Sequence, residues 1–447
     1  MLALCTLCVL WLNHLVLLTI EKLVYGGDGL ARLPADEHGR GKAVFVPFVL
    51  PGEQVEASLL EQKPGFARAQ LDKILQPSAG RIEPGCPYFE RCGGCHYQHT
   101  GYERQLEIKA SILKENLRRI AKLELSSELV IHPSPPWNYR NRSRFKVQTA
   151  PQFALGYFKF NSHELLPVES CPISSSLINR AIGAFGEWGR GTQTAGLQEV
   201  ELFANADDSE LLIELHCSPE LAPDAARSMA EEVRNLMSEI GGTVAFRQSA
   251  PSPKYRESEP ELLAGTGAEE LTYRVGTASY RVSAGAFFQV NRHLVGELVD
   301  LVIGSSRGEV ALDLYAGVGL FTTALARRFA QVIAVESSQT SHGDLVENCP
   351  GNVKAIRAGT EQFLGKSGRW RPDLIVVDPP RSGLGATVVK GLAALQSPRL
   401  AYVSCDPATL ARDLSGLLAA GYKIEQAHLV DLFPQTFHLE SVFHLVR

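Results

Sequence analysis

The chain has 447 residues, of which 45% are hydrophobic and 21% are charged, and its net charge at pH 7 is −5. This length allows about three domains of roughly 150 residues each, and the composition supplies enough apolar residues for at least one large core. The small negative charge excludes nucleic-acid binding driven by total charge, but not binding by a local basic cluster.

An apolar segment, LALCTLCVLWLNHLVLLTI, opens the sequence. Its length is close to that of a transmembrane helix, but Asn13 and His14 interrupt it. No Lys or Arg precedes the apolar run and no small-residue cleavage site follows it, so we do not predict a signal peptide. We treat residues 1–18 as an apolar extension, which leaves open a membrane anchor, a packed extension or a mis-assigned start.

Residues 19–80 predict a small antiparallel β-barrel. Short alternating runs such as GKAVFVPFVL and QVEASLLEQ are separated by glycine and proline. Short strands with turns between them are typical of such a barrel.

Three cysteines then crowd into ten residues. Cys86, Cys92 and Cys95 form a C-x5-C-x2-C pattern, and Cys171, 76 residues further on, is the candidate fourth ligand. Four thiolates suit either a [4Fe–4S] cluster or zinc, and the spacing leaves both open. The crowding is typical of a metal site rather than of a secreted disulfide framework, so we expect a reducing compartment, the cytoplasm.

Residues 81–284 predict a strand-rich central domain, in which the stretch WNYRNRSRFKV stands out. Its basic residues recur at every second position: Arg140, Arg142, Arg144 and Lys146. Its aromatic residues fall on the opposite face of a strand or at its edges: Trp137, Tyr139 and Phe145. Basic side chains bind phosphate and aromatic rings stack on bases, so this strand is a candidate RNA-binding surface. The alternative is an ordinary solvated strand face.

Residues 285–447 predict an α/β domain of Rossmann-like type. Apolar runs such as VALDLY, QVIAVE, DLIVVD and LAYVSC alternate with helical stretches, which indicates a mostly parallel sheet covered on both faces. In DLYAGVGLFTTALA, Gly317 and Gly319 allow the backbone to approach a ligand, and Glu336, 23 residues after Asp313, can accept hydrogen bonds from ribose hydroxyls. Asp378 ends the next buried strand, at the sheet edge where ligands bind. A simple turn and a rigid proline loop are the alternatives.

One cysteine lies where an apolar run meets a loop, in RLAYVSCDPATLARDL. Taken alone, Cys405 is most simply a packing residue, because cysteine is often buried. Five motifs change this interpretation: FFQVN (287–291), DLYAGVGLF (313–321), VDPPRSGL (377–384), VSCDPATLARDL (403–414) and DLFPQTFHLESV (431–442). In order and spacing they resemble the RNA (uracil-C5) methyltransferases, and the resemblance covers residues 19–447.

The opening of the chain and CPYFERCGGC resemble the branch of this family with an N-terminal TRAM domain and an iron–sulfur cluster. The resemblance implies S-adenosylmethionine as methyl donor, and a [4Fe–4S] cluster in preference to zinc at the four cysteines. It implies that residues from about 100 to 120 pack with the catalytic domain. The predicted donor-binding residues match the family's motifs or the glycine turn: Gln289, Asp313, Tyr315, Gly317, Glu336 and Asp378.

Cys405 and Glu440 take chemical roles in such enzymes. A thiolate that adds to uracil C6 makes C5 nucleophilic toward the donor methyl, and a base must then remove the C5 proton. Cys405 is the expected nucleophile and Glu440 the expected base, whereas alone Glu440 could be a surface carboxylate. Because the thiolate is the reactive form, we expect Cys405 to lie near a helix N-terminus or a positive group such as Arg381 or Arg412.

The sequence therefore predicts a monomeric enzyme that forms 5-methyluridine in RNA, with ribosomal RNA of the large subunit favoured over transfer RNA and no protein partner implied. Three alternatives remain: a methyltransferase for transfer RNA uridine, one for an exocyclic amino group, and an inactive RNA-binding protein that carries a cluster or zinc. The less regular pattern of residues 337–364 keeps the last alternative open.

Overall fold

The computed structural model describes residues 15–35, 41–125, 128–192, 194–248, 260–366 and 370–447. Within these ranges the chain forms three large β-sheets and one two-stranded hairpin. Most of the predicted apolar extension, residues 1–14, lies outside the described residues. No helix in the described part of the chain is long and apolar enough to cross a membrane.

The N-terminal sheet has six strands in the order β1-β5-β6-β4-β3-β2. The strands are β1 (Leu15–Thr19), β2 (Lys22–Leu23), β3 (Gly29–Arg32), β4 (Ala43–Val46), β5 (Gln54–Gln62) and β6 (Phe66–Gln76). Alternate residues such as Leu18, Val44 and Val55 fill a small core, as the period-two pattern predicts. The sheet begins at Leu15, four residues before the predicted start of the barrel, so Leu15–Leu18 belong to it.

A loop that carries the cysteines leads to helix α1 (Tyr102–Asn116), a π-helical turn (Leu117–Ala121) and strand β7 (Leu129–His132). Ala110, Leu113 and Leu117 pack in the same core as the C-terminal sheet. Strand β7 pairs in parallel with a strand of that sheet and forms its edge. This segment thus packs with the C-terminal domain although it precedes the central one in sequence.

The central sheet has seven strands in the order β10-β9-β8-β11-β12-β13-β14. Its elements are β8 (Arg142–Gln148), β9 (Ala154–Phe158), β10 (Leu165–Pro167), α2 (Ser176–Gly191), β11 (Leu197–Ala204), β12 (Leu211–Cys217), α3 (Pro223–Arg234), β13 (Ile240–Arg247) and β14 (Glu261–Gly267). The hairpin β15 (Glu270–Val275) and β16 (Ala278–Ser283) then leads into the C-terminal domain, and most of the predicted polar loop before β14 lies outside the described residues.

The C-terminal sheet has eight strands in the order β19-β18-β17-β20-β21-β23-β22-β7. Its elements after the hairpin are α4 (Val295–Ile303), β17 (Gly308–Leu314), α5 (Leu320–Ala326), β18 (Phe329–Glu336), α6 (Gln339–Asn348), β19 (Val353–Arg357), α7 (Thr360–Leu364), β20 (Leu374–Val377), α8 (Gly385–Leu395), β21 (Arg399–Ser404), α9 (Pro407–Ala419), β22 (Lys423–Val430) and β23 (Glu440–Val446). Residues 337–364, which the sequence marks as less regular, form the ordinary helix–strand–helix unit α6-β19-α7.

Parallel pairing gathers the functional residues at one edge of this sheet. β17, β18, β20 and β21 run parallel, so their carboxyl ends lie together. β23 runs antiparallel to β21, and its first residue therefore lies at the same edge. The strands are buried on both faces, as in the fully buried β20, which is the pattern expected for a sheet covered by helices.

Candidate active site and cysteine cluster

A glycine turn connects β17 to α5 at the sheet edge. Tyr315, Gly317 and Gly319 have φ values of 64°, 55° and 94°. A Cβ at Gly319 would lie 3.0 Å from Leu345 Cδ1 and 3.1 Å from Cys349 Sγ, so a side chain there would crowd both residues, and the positive φ favours glycine. The turn leaves its backbone close to whatever occupies the crevice.

Glu336 is fixed against this turn. Its carboxylate accepts hydrogen bonds from the backbone N–H of Gly317 at 2.8 Å and of Ser338 at 2.7 Å. A carboxylate held at the end of β18 by two backbone donors keeps a defined direction, which suits binding of ribose hydroxyls.

Two further carboxyl groups, Asp313 and Asp378, lie beside the turn. Burial raises the pKa of each to about 7, and Asp313 adds to the effect on Asp378. Thr322 donates a hydrogen bond to Asp313 Oδ2 at 2.5 Å, whereas Oδ1 is buried without a partner among the described residues. A buried acceptor of this kind fits a ligand that supplies cationic or hydroxyl donors, as S-adenosylmethionine does.

The other two predicted donor-binding residues are Tyr315 and Gln289. Tyr315 follows β17, and its half-buried hydroxyl interacts with the side chain of Thr360. Gln289 is buried in the segment between β16 and α4, where Asn141 donates a hydrogen bond to its carbonyl oxygen. Their contacts with a donor stay a prediction.

Cys405 and Glu440 lie close together at the ends of neighbouring strands. The last pair of the β21–β23 ladder joins Ser404 with Ser441, and Cys405 and Glu440 are the next residues at that edge. The carboxyl group of Glu440 is near enough to contribute to the raised pKa of the Cys405 thiol. Asp406 caps α9 by accepting from the backbone N–H of Ala408 and Thr409, which places the N-terminus of that helix beside the thiol.

The thiol of Cys405 is protonated near neutral pH. Burial, followed by the carboxyl groups of Glu440 and Asp378, raises its pKa to about 12, while Arg381 acts in the opposite direction. Arg412 donates instead to Asp413 and to the carbonyl of Ser382. The expected positive neighbour is therefore present as Arg381, but burial and two carboxyl groups outweigh one guanidinium in their effect on the pKa of the thiol.

Glu440 is buried, and its Oε1 has no hydrogen-bond partner among the described residues. Burial and the neighbouring Asp378 raise its pKa well above the usual range, against the effect of Arg381. A carboxylate with a raised pKa is a stronger base once it is ionised, which suits removal of a carbon-bound proton.

We expect alkylation of Cys405 by iodoacetamide to be slow at neutral pH and to rise about tenfold per pH unit between pH 7 and 10, because only the thiolate reacts. Asp378→Asn should accelerate alkylation at every pH in this range, since it removes a carboxyl group that raises the pKa of the thiol. Mass spectrometry of the peptide that contains Cys405 measures both rates. A plateau below pH 9 in the wild-type enzyme would contradict the assignment of a high pKa.

The loop that precedes Glu440 is anchored by helix α1, which lies in the segment that the family resemblance implies to pack with the catalytic domain. Lys109 donates from its fully buried ammonium to Asp431 Oδ1 at 2.6 Å and to the carbonyl of Phe433 at 2.9 Å. Gln105 and Gln435 exchange two hydrogen bonds of 2.9 and 3.0 Å. Because these partners are more than 300 residues apart in the chain, no local pattern could reveal them.

The four predicted cluster cysteines come together between the N-terminal and central sheets. Burial raises the pKa of Cys86, Cys92 and Cys95, to about 11 for Cys92. The nearby thiol of Cys171 raises the pKa of all three further. The backbone around them is held by local bonds, such as Cys86 N–H to Gln98 Oε1 at 3.0 Å. Cys171 exchanges two bonds with Asn179. The four cysteines form no disulfide bond among the described residues, and a metal group that binds deprotonated thiolates fits this site.

The basic strand β8 differs from its predicted role as an open RNA-binding face. Arg142 is buried and bonds to Glu201 and Glu214, and its guanidinium cannot reach a phosphate. The register places Arg144 opposite Glu201 and Lys146 opposite Glu199, and both pairs are ion pairs. The sequence showed the basic residues of one strand but not the acidic residues of the next.

The remaining members of that prediction are also partly enclosed. Arg140 donates to the backbone carbonyl of Arg142 at 2.9 Å. Tyr139 and Phe145 are fully buried and cannot stack on a base, which corrects the prediction for these two rings. Arg144, with 46% of its side chain exposed, and Lys146 with 35% remain accessible, and their contact with RNA stays a prediction.

A doubly wound sheet with a glycine turn and carboxyl groups at its carboxyl edge is the arrangement that binds nucleoside-type ligands, among them S-adenosylmethionine. The sequence matches the tRNA (Uracil-5-)-methyltransferase family over residues 101–447 and the TRAM domain over residues 15–71. The chain therefore belongs to the RNA (uracil-5-)-methyltransferase family, and it is an RNA methyltransferase with an N-terminal TRAM domain.

Individual relatives agree with this assignment. An uncharacterized RNA methyltransferase of Aquifex aeolicus is 33% identical over 431 residues, covering 95% of this chain and 97% of the relative. The 23S rRNA (uracil(1939)-C(5))-methyltransferase RlmD of Pectobacterium atrosepticum is 33% identical over 439 residues, covering 95% and 92%. The crystal structure of Pyrococcus abyssi tRNA (uracil-54, C5)-methyltransferase with S-adenosyl-L-homocysteine has a TM-score of 0.73 at 25% identity, covering 96% and 99%.

Proposed function

We propose that this enzyme methylates C5 of a specific uridine in large-subunit ribosomal RNA through a transient bond between Cys405 and C6, with Glu440 as the base. The observation that carries this proposal is that Cys405 and the buried carboxyl group of Glu440 lie beside the Ser404–Ser441 pair at the carboxyl edge of the sheet. A packing cysteine gives no reason for that arrangement.

The residues of the site divide the reaction into steps. Cys405 loses its proton to solvent and adds to C6, which makes C5 nucleophilic. S-adenosylmethionine supplies the electrophilic methyl group when it is bound in the crevice. Glu440, in its ionised form, then accepts the C5 proton, the C5–C6 double bond reforms, and the thiolate leaves. Arg381 favours the charged forms of both Cys405 and Glu440, so it supports the two groups at different steps.

The choice of ribosomal over transfer RNA is supported by the similarity to RlmD along almost the whole of both chains. The likeness to the Pyrococcus abyssi transfer RNA enzyme supports a second candidate, a uridine in transfer RNA. Mapping 5-methyluridine in both RNA classes, from cells with and without the gene, distinguishes them. We expect one ribosomal site to lose its methyl group, and loss confined to transfer RNA would favour the second candidate.

The reaction itself is tested with RNA that carries tritium at C5 of uridine. Methylation at C5 must release that tritium to water, one atom for each methyl group transferred. Methylation of an exocyclic amino group leaves the label in the RNA. Methyl transfer without tritium release would therefore overturn the proposed function.

We also propose that Cys86, Cys92, Cys95 and Cys171 hold a [4Fe–4S] cluster. Four thiolates at one zinc ion, with Zn–S bonds of about 2.3 Å, lie roughly 3.8 Å from one another. Within the described ranges, no three of these sulfur atoms lie within 4.8 Å of one another. This is compatible with a cluster, which is larger than a single ion, and the preference for a cluster is supported by the resemblance of CPYFERCGGC to the iron–sulfur branch of the family.

Cys171→Ser should remove most of the iron and the broad visible absorbance of the anaerobically purified protein, because a ligand that closes the site is lost. Cys217→Ser is a suitable control, since Cys217 is buried in the central core away from the four cysteines. Stoichiometric zinc in the wild-type protein, with no iron, would contradict the cluster.

A further inference from the structure

The N-terminal sheet reaches the candidate nucleophile through one tight turn. The turn between β2 and β3 is closed by hydrogen bonds from Val24 N–H to the carbonyl of Asp28 at 2.9 Å and from Gly27 N–H to the carbonyl of Val24 at 3.2 Å. Gly26 and Gly27 have φ values of 110° and 96°, so the turn depends on glycine. This conformation presents Tyr25 at the tip of the hairpin.

The hydroxyl of Tyr25 donates a hydrogen bond to the backbone carbonyl oxygen of Cys405, at 3.0 Å. Cys405 lies one residue beyond the last pair of the β21–β23 ladder, Ser404 with Ser441, so the ladder does not fix its peptide group. A hydrogen bond at this carbonyl restricts rotation of the peptide that follows Cys405, and with it the direction of the thiol.

The tip of the hairpin fits closely into its surroundings. The ring of Tyr25 packs edge-on against Phe437 with centroids 5.4 Å apart, and Phe437 also contacts His96 at 4.7 Å. A Cβ at Gly27 would lie 2.9 Å from the ring of His96, so the turn has no room to shift. Lys22, at the base of the hairpin, forms an ion pair with Glu115 of α1.

The environment also keeps the hydroxyl of Tyr25 a donor. Burial, followed by Asp406 and Cys405, raises the pKa of Tyr25 well above its usual value, so the phenol stays protonated over the working range of the enzyme. A donor that cannot ionise holds the carbonyl of Cys405 at every relevant pH.

We propose that Tyr25 is a positioning residue for the Cys405 thiol, so that the TRAM domain completes the active site in addition to any contact it makes with RNA. The proposal rests on the proposed role of Cys405 as the nucleophile. It assigns to the N-terminal domain an effect on the chemical step that a separate RNA-binding module would not have.

The test compares Tyr25→Phe with a matched control in the full-length enzyme. Tyr25→Phe keeps the ring contact with Phe437 and removes only the hydroxyl. Tyr422→Phe removes a similar hydrogen bond of 3.0 Å, from the tyrosine hydroxyl to the carbonyl oxygen of Ser397. Ser397 lies just before the start of β21, at the end of the strand away from Cys405. Three quantities are measured for each variant: the rate of covalent adduct formation with saturating 5-fluorouridine RNA, the dissociation constant for unmodified RNA, and the melting temperature.

We expect Tyr25→Phe to slow adduct formation about tenfold with RNA affinity within error of the wild type, and to lower the melting temperature no more than Tyr422→Phe, which loses a similar hydrogen bond. Tyr422→Phe should leave the adduct rate unchanged. If Tyr25→Phe forms the adduct as fast as the wild type, or weakens RNA binding while the saturated rate is unchanged, the positioning role is overturned and the proposed function stands. If the wild-type enzyme forms no adduct at Cys405, the proposed function fails and the positioning role fails with it.

Discussion

Replacing Cys405 by alanine is expected to lower the rate of RNA methylation by at least about 10³-fold, because the variant cannot add to C6 and C5 stays a poor nucleophile. Binding of S-adenosylmethionine should be little changed, since Glu336 and the glycine turn are untouched. Transfer of a radioactive methyl group to RNA measures the first quantity, and calorimetric titration with S-adenosylmethionine measures the second.

Cys217→Ala is the control for the loss of a thiol. Cys217 also lies at the carboxyl end of a strand, β12, but in the core of the central domain. It should retain methylation within about twofold, as expected of a small buried change away from the site. A Cys405→Ala enzyme that keeps more than a tenth of the wild-type rate would show that the reaction proceeds without the covalent step.

Replacing Glu440 by glutamine is expected to stop the reaction after methyl transfer. The thiol can still add to C6 and the methyl group can still be transferred to C5, but no base removes the C5 proton, so the enzyme remains covalently attached to the methylated RNA even when the RNA carries no fluorouridine. Turnover should fall on the order of 10²- to 10⁴-fold, the usual contribution of a general base. The adduct is measured as a shifted protein band that carries one methyl group per enzyme.

Glu425→Gln serves as the matched control, because Glu425 is an exposed carboxylate on the neighbouring strand β22. It should turn over normally and give no shifted band. If Glu440→Gln instead loses turnover without any adduct, Glu440 acts before or during the attack on C6. The role of final base would then belong to another group.

The positions of the predicted donor-binding residues follow from the sequence because they obey a local rule. Asp313, Glu336 and Asp378 each lie at or next to the end of an apolar strand, and the alternation of strands and helices brings such ends together at one edge. The four cysteines were equally visible, since their residue type and crowding are informative before any partner is known.

Other features could not be predicted because their partners are distant in sequence. The sequence around Arg142 predicts a basic RNA-binding strand because it does not show that β11 pairs with this strand and brings Glu199 and Glu201 beside it. From the sequence, Lys109 would be expected on the exposed face of a helix, because its buried partner Asp431 lies near the end of the chain. Tyr25 lies in an ordinary glycine turn, and only the folded structure sets its hydroxyl against Cys405, 380 residues away.

The electrostatics of Cys405 depend on residues that its local sequence does not show. Arg381 and the start of α9 both favour the thiolate, as expected. Burial and the carboxyl groups of Glu440 and Asp378 act in the opposite direction and raise the pKa of the thiol.

Digestion and mass spectrometry of the enzyme after incubation with 5-fluorouridine RNA and S-adenosylmethionine gives the most direct test of how this protein acts. Fluorine cannot leave C5 as a proton does, so the sulfur–carbon bond persists. The expected product is a single peptide, containing Cys405, linked to a methylated fluorouridine. A reaction that yields no linked peptide, or links the RNA to a different cysteine, would contradict the assignment of Cys405 as the nucleophile.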